Sequence, residues 1–333
     1  MSMYHDILND FEALKFNFRI NDLDETIEIK ISGHDWQRMN DTHEAILKVD
    51  MGELGYGARG KPALSTMLNA AVKLADSQRY NPIKEYFNSL DLSRYEPRNG
   101  DHTPQPHVIP KFAKYFTNPD GYFGLWLFKW MVGAIAKVYE GERNPMLVLS
   151  AGQGIGKSWF CDWICPIEGR FVKGPINPDN KDNRLMINDN FVWEVEELGA
   201  TTRRADIEAL KSFITLPFTT ERPAYKKHPI KKPAMVSFIG TVNNDGAGFL
   251  NDPTGNTRFL ACQLDHINFN YTTIQKDSLW LEALWFYTNV RGSWKLSDEQ
   301  ERARQVINSD YEDRKSTRLN SSHSQQSRMP SSA

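Results

Sequence analysis

The chain has 333 residues, with 40 Lys and Arg against 42 Asp and Glu. That is length for roughly two domains of ~150 residues, and a charge balance that excludes nucleic-acid binding over the whole surface, leaving only a local basic patch. Hydrophobic residues at 40% and aromatics at 12% exclude a disordered chain, and three cysteines with no CxxC pair argue for buried thiols in a reducing, cytoplasmic compartment rather than a disulfide framework or zinc site.

The N-terminal MSMYHDILNDFEAL carries acids and no apolar core segment, which argues against a signal peptide. Residues 1–95 read as a mostly helical accessory region. Within it IEIKISG alternates like an exposed strand, and ALSTMLNAAVKLADSQ has a helical period. NPIKEYFNSL predicts a short helix with Asn81 as its cap and Pro82 at its first position.

Residues 96–144 are expected to be a linker, EPRNGDHTPQPHVIP, and a helical lead-in. The lead-in contains the most membrane-like segment, YFGLWLFKWMVGAIAKVY, but Lys129 and Lys137 interrupt it and it falls short of the ~20 apolar residues of a span. Phe128, Met131, Val132, Ile135 and Val138 recur at helical spacing, so a buried amphipathic helix is expected and no membrane partner.

From 145 to 313 strands and helices alternate: MLVLS, KSWFCDWI, FVWEV, RRADIEALKSFI, AMVSFIG, TRFLACQL and DSLWLEALWFYTNV. This predicts an α/β fold with a mostly parallel sheet covered on both faces. Residues 314–333 are rich in Ser and nearly free of apolar residues, a composition expected to be disordered. They resemble the translated read-through of a sequencing adapter, so this tail is expected to be non-native and without function.

The chemistry begins at LVLSAGQGIGKSWF. A triphosphate cradle needs a strand, a turn whose N–H groups converge, a lysine, a hydroxyl for Mg2+ and a helix N-terminus. Gly152, Gly154, Ile155 and Gly156 supply the turn, Lys157 the cation and Ser158 the hydroxyl. Ala151 stands where the G-x-x-x-x-G-K-[ST] pattern has its first glycine, and Gly152 is expected to take the strained turn in its place.

Downstream, FVWEVEEL is an apolar strand ending in Glu194, Glu196 and Glu197. It is expected beside the strand of the glycine-rich loop, delivering acid to Mg2+ and to the attacking water. Strand period puts Glu194 and Glu196 on one face. Asn243 ends the next apolar strand, where an amide orients water, and Arg258 follows a glycine-containing turn, where it stabilises transition-state charge in cis or across a subunit boundary. Lys226, Lys227, His228, Lys231 and Lys232 surround Pro229 as a basic hairpin tip, with Tyr225 for base stacking, an arrangement that suits a DNA backbone.

The ordered segments AGQGIGKS, WEVEEL, ADIEALKSFIT, ERPAY, GTVNN and FLNDPTGNTRF, with RYNPIKEYFNSL before them, resemble the virulence-associated E family. These are phage- and mobile-element-borne ATPases related to superfamily 3 helicases and often joined to a primase. The resemblance implies a P-loop NTPase core of the AAA+/superfamily 3 helicase-like kind, with ATP and Mg2+. It further implies Lys157 and Ser158 at the triphosphate, Ser158 and Glu194 at the metal, Glu194 and Glu197 as paired acids, Asn243 as sensor, and Arg222 and Arg258 as phosphate-facing or inter-subunit arginines. Where the family has paired arginines this chain has Thr257 and Arg258. The implied activity is a DNA helicase or replication ATPase moving on single-stranded DNA. A homo-oligomeric ring, expected as a hexamer, a primase partner and the cytoplasm of a bacterial host go with it. The alternative is an ATP-dependent DNA-binding switch or loader without unwinding; a small-molecule kinase is a third reading. Which of Glu194, Glu196 and Glu197 contacts Mg2+ stays open.

Overall fold

The structure is a computed structural model that describes residues 3–59, 62–100, 103–196, 198, 204–222, 228–243 and 256–311. The chain divides into two compact units, residues 1–86 and 87–333.

The first unit runs α1 (Met3–Ala13), β1 (Asn17–Asn21), β2 (Thr26–Lys30), β3 (Gln37–Arg38), α2 (Asp41–Glu53), α3 (Leu64–Ser77) and β4 (Arg79–Tyr80). Its sheet has the order β3-β2-β1-β4. Strand alternation sends Phe18, Ile20 and Ile29 into a core with Phe11, Leu47, Met51 and Met67. Arg19 and Glu28 face each other across the strands and pair at 2.8 Å. The Arg19 guanidinium also lies over the rings of Trp36 and Tyr80, at 4.3 and 3.6 Å.

Helix α4 (Pro82–Ser89) carries the chain into the second unit. Asn81 Oδ1 accepts from the N–H groups of Ile83 and Lys84 at 3.0 and 3.1 Å, the expected cap. There follow β5 (Arg98–Gly100), β6 (Thr103–Gln105), α5 (Val108–Ala113), β7 (Phe116–Thr117) and α6 (Phe123–Glu140). The stretch read as a linker is anchored. The buried carboxylate of Glu282 accepts from the N–H groups of His107, Val108 and Ile109 at 2.6, 2.8 and 2.6 Å and from the Tyr95 hydroxyl at 2.7 Å.

Helix α6 differs from its amphipathic expectation. It is buried on every side from Trp126 to Val138 except at Lys129, because α5, α10 and two sheet strands close around it. Gly133 leaves room for Asn144, whose Oδ1 a Cβ there would meet. Asn144 Nδ2 in turn donates to Trp130 O and Ser237 Oγ, both at 3.0 Å.

The remaining elements are β8 (Met146–Ala151), α7 (Lys157–Ile164), β9 (Phe171–Lys173), α8 (Lys181–Asp189), β10 (Val192–Val195), α9 (Arg204–Ile214), β11 (Phe218–Glu221), β12 (Ile230–Pro233), β13 (Ser237–Asn243), β14 (Phe259–Leu264), β15 (His266–Ile267), α10 (Lys276–Asn289) and α11 (Asp298–Ser309). Five strands form an all-parallel sheet in the order β14-β8-β13-β10-β9. Every residue of β8 is buried, as a parallel sheet covered on both faces requires.

The acidic strand β10 is not beside β8, where an acid-bearing strand of a nucleotide hydrolase was expected. Strand β13 lies between them; its run Ser237–Val242 is buried throughout, which suits an interior place. Because the sheet is parallel, the C-terminal ends of β8, β13 and β10 lie along one edge, where α/β folds bind ligands. No helix among the described residues is long and apolar enough to cross a membrane.

Candidate functional site

Strand β8 delivers the glycine-rich loop to that edge. Ala151 is its last residue and pairs in register with Asn243 on one side and Leu264 on the other. An alanine fits there because the backbone is still extended. Nor does Gly152 take a left-handed turn: the positive φ angles belong to Gly154 at 80° and Gly156 at 102°. Gly156 is the N-cap of α7 and offers no side chain to its first-turn N–H groups. Those groups, with the positive end of the helix dipole, face the cleft.

The cleft has a volume of about 350 Å³ and is bordered by Gln153–Trp159 from the loop and α7, by Thr241 and Asn243 from the end of β13, and by Glu196 just past β10. Lys157 is nearly buried. Its ammonium donates to Ala151 O at 2.9 Å, Gly152 O at 2.8 Å and Asn243 Oδ1 at 3.2 Å. Burial pushes its pKa below the ordinary lysine value. The amide of Asn243 thus steadies the lysine from the neighbouring strand.

Glu194 is fully buried behind the loop. Its Oε1 accepts from the Ser158 hydroxyl at 2.6 Å, with Thr241 Oγ1 at 3.5 Å, while its Oε2 has no hydrogen-bond partner among the described residues. Burial raises its pKa above the usual glutamate value, and the Ser158 hydrogen bond opposes that rise. A hydroxyl already held on a carboxylate with one unpartnered oxygen fits a hard cation taken up with a phosphate ligand. Among the described residues no three His, Cys, Asp or Glu side chains gather as a metal cage.

Strand β10 ends at Val195, so Glu196 sits in the following turn yet still reaches the cleft. It pairs with Lys173 at the end of β9 at 2.9 Å, and that hydrogen bond raises the lysine's pKa. Sequence reasoning missed Lys173, because a three-residue edge strand leaves little pattern. It also missed Trp159, whose place at the cleft follows directly from its adjacency to Ser158.

The other expected site residues lie apart. Glu197, Lys226 and Lys227 are outside the described residues. Strands β11 and β12 do form an antiparallel hairpin, but Lys231 and Lys232 belong to strand β12 rather than its tip. Lys231 faces Thr220 and Lys232 faces Thr219 across the ladder, and the Lys231 ammonium lies 3.8 Å from the centre of the Phe218 ring. The reason is the length of the ladder, which runs on to Pro233. His228 is exposed just before β12, and Arg222 is exposed just after β11. Arg258 precedes β14, whose first residue pairs with Met146 at the start of β8. It therefore lies at the opposite edge of the sheet, about 15–20 Å from the glycine-rich loop at strand rise.

A family model, the virulence-associated protein E-like domain, matches residues 101–313. Among solved structures the chain is similar to the A form apo structure of the NrS-1 C terminal region, with 12% identity and a TM-score of 0.47 over 92% of this chain and 74% of that one. It is similar to another A form apo structure of that region with 13% identity and a TM-score of 0.42 over 91% and 70%. No curated protein matches.

Proposed function

The chain belongs to the virulence-associated protein E-like family, and on that premise we propose that the cleft at the end of β8 binds and hydrolyses a nucleoside triphosphate with Mg2+, as a P-loop ATPase serving the replication of a phage or mobile element. The observation that carries the reading is the convergence of Lys157, Ser158, Glu194 and Asn243, from three neighbouring elements, on a loop with two left-handed glycines. Lys157 and the first-turn N–H groups would take the phosphates, Ser158 and Glu194 would hold Mg2+, and Glu196 is the described acid open to the cleft. The metal would neutralise charge developing on the transferred phosphoryl group.

The β11–β12 hairpin with His228, Lys231 and Lys232 supports contact with a single-stranded DNA backbone. The place of Arg258 at the far edge of the sheet supports action on a neighbouring subunit's nucleotide in a homo-oligomeric ring. The test is steady-state ATP hydrolysis by the full chain, with and without single-stranded DNA, beside Lys157→Ala. Turnover that rises with DNA and vanishes in the variant is expected, and strand separation then marks a motor. Turnover indifferent to DNA, with no strand separation, would replace the motor with a nucleotide-dependent switch.

A further inference from the structure

Two aromatic side chains beside this cleft have no part in its phosphate chemistry. Trp159, directly after Ser158 on α7, borders the cleft and is 74% exposed, more than any other large hydrophobic side chain among the described residues. Phe269 opens the 3-10 turn that follows β15 and is 51% exposed. The tip of its ring abuts Gly156: a Cβ on that glycine would stand 2.5 Å from the ring. One aromatic therefore borders the cleft from α7, and the other closes on the N-cap of the same helix.

Of the other tryptophans, Trp126, Trp130, Trp193 and Trp280 are fully buried and Trp36, Trp163, Trp285 and Trp294 half-buried, so Trp159 alone is exposed. Nor is Phe269 on a loose segment. Asn268 caps its turn by accepting from the Asn270 N–H at 3.0 Å. Two residues on, Tyr271 is buried against Phe112, Phe116 and Trp163. An aromatic face held in water beside a phosphate cradle is suited to a flat ring joined to those phosphates.

We infer that Trp159 and Phe269 form the platform for the base of the nucleotide, and that the ligand is a purine nucleoside triphosphate. The inference rests on the nucleotide reading above and adds its base. A purine offers the larger face, and stacking reads that face rather than the hydrogen-bonding edge, so ATP and GTP bind alike and pyrimidine triphosphates bind more weakly.

The test is calorimetric titration of the full chain with Mg-ATP and, as a probe without a base, inorganic tripolyphosphate. Trp159→Ala and Phe269→Ala are each expected to weaken ATP about tenfold, the low end of a base–aromatic stack, and to leave tripolyphosphate affinity unchanged. Both side chains are exposed, so thermal melts should match wild type. Unchanged ATP affinity in both variants overturns the platform while leaving the phosphate site standing. Equal loss of both ligands also overturns it, since the aromatics would then support only the loop. A wild-type chain that binds neither ligand overturns the nucleotide reading itself.

Discussion

Lys137 sits inside the molecule in the last turn of α6, its ammonium 5.4 Å from the centre of the Phe238 ring. Burial pushes its pKa down to about 7. An unfolded chain keeps that proton up to the ordinary lysine value, so between those two values the unfolded state binds more protons and stability rises with pH. Below about pH 7 the full cost is present. Lys137→Met should therefore stabilise the protein by on the order of 4 kcal/mol at pH 6, with the gain fading by about pH 10; chemical denaturation across that range measures it. A gain independent of pH would mean that the lysine is not buried with its charge at stake. At the same scale, Ala151 shows why a pattern position is not a physical requirement. The glycines that matter are the two at positive φ, Gly154 and Gly156; Ala151 is an ordinary strand residue.

Among the strands of the parallel sheet, those buried on both faces were the legible ones. The interior strands β8, β10, β13 and β14 stand out as apolar runs because neither face meets water. By contrast β3, β4, β7 and β9 have two or three residues each, too few for a period, and α8 is polar enough to read as loop. Glu282 was hidden for another reason. It stands inside the apolar run of α10, and only the folded chain brings three N–H groups of residues 107–109 to it. It caps α5 from a distant helix, which turns an expected linker into an anchored segment. Glu282→Ala should cost about 3 kcal/mol, since three backbone N–H donors and the Tyr95 hydroxyl lose a charged acceptor. Denaturant titration gives the loss, and faster amide exchange at His107, Val108 and Ile109 localises it. Unaltered exchange there would place the effect elsewhere.

At the scale of the whole molecule, the site was legible where it is contiguous and where strands end. Residues 152–158 read as one loop, and Glu194 and Asn243 are marked by polar residues closing apolar strands. Strand order was not legible, because β8, β10 and β13 are all buried apolar runs and the pattern does not rank them by place in the sheet. Lys173 and Phe269 meet the site through space and carry no local signature, whereas Trp159 adjoins it in sequence. The same topology sets Arg258 at the edge of the sheet away from its own cleft. A mixture of Lys157→Ala, which keeps Arg258, with Arg258→Ala, which keeps the cradle, should thus recover part of the hydrolysis that each variant lacks alone. No recovery in a verified mixed oligomer would remove the arginine from a shared site.

Hydrolysis at this cleft turns on whether Ser158 and Glu194 hold Mg2+ beside a lysine that binds phosphate. The most direct measurement pairs Mg-ATP binding with phosphate release in wild type, Lys157→Ala and Glu194→Gln. Wild type should bind and turn over; Lys157→Ala should lose both; Glu194→Gln should retain binding and lose turnover by a factor of about 100 or more, the cost of an electrostatic partner in a buried site. Phosphate release by Glu194→Gln at the wild-type rate would contradict the account.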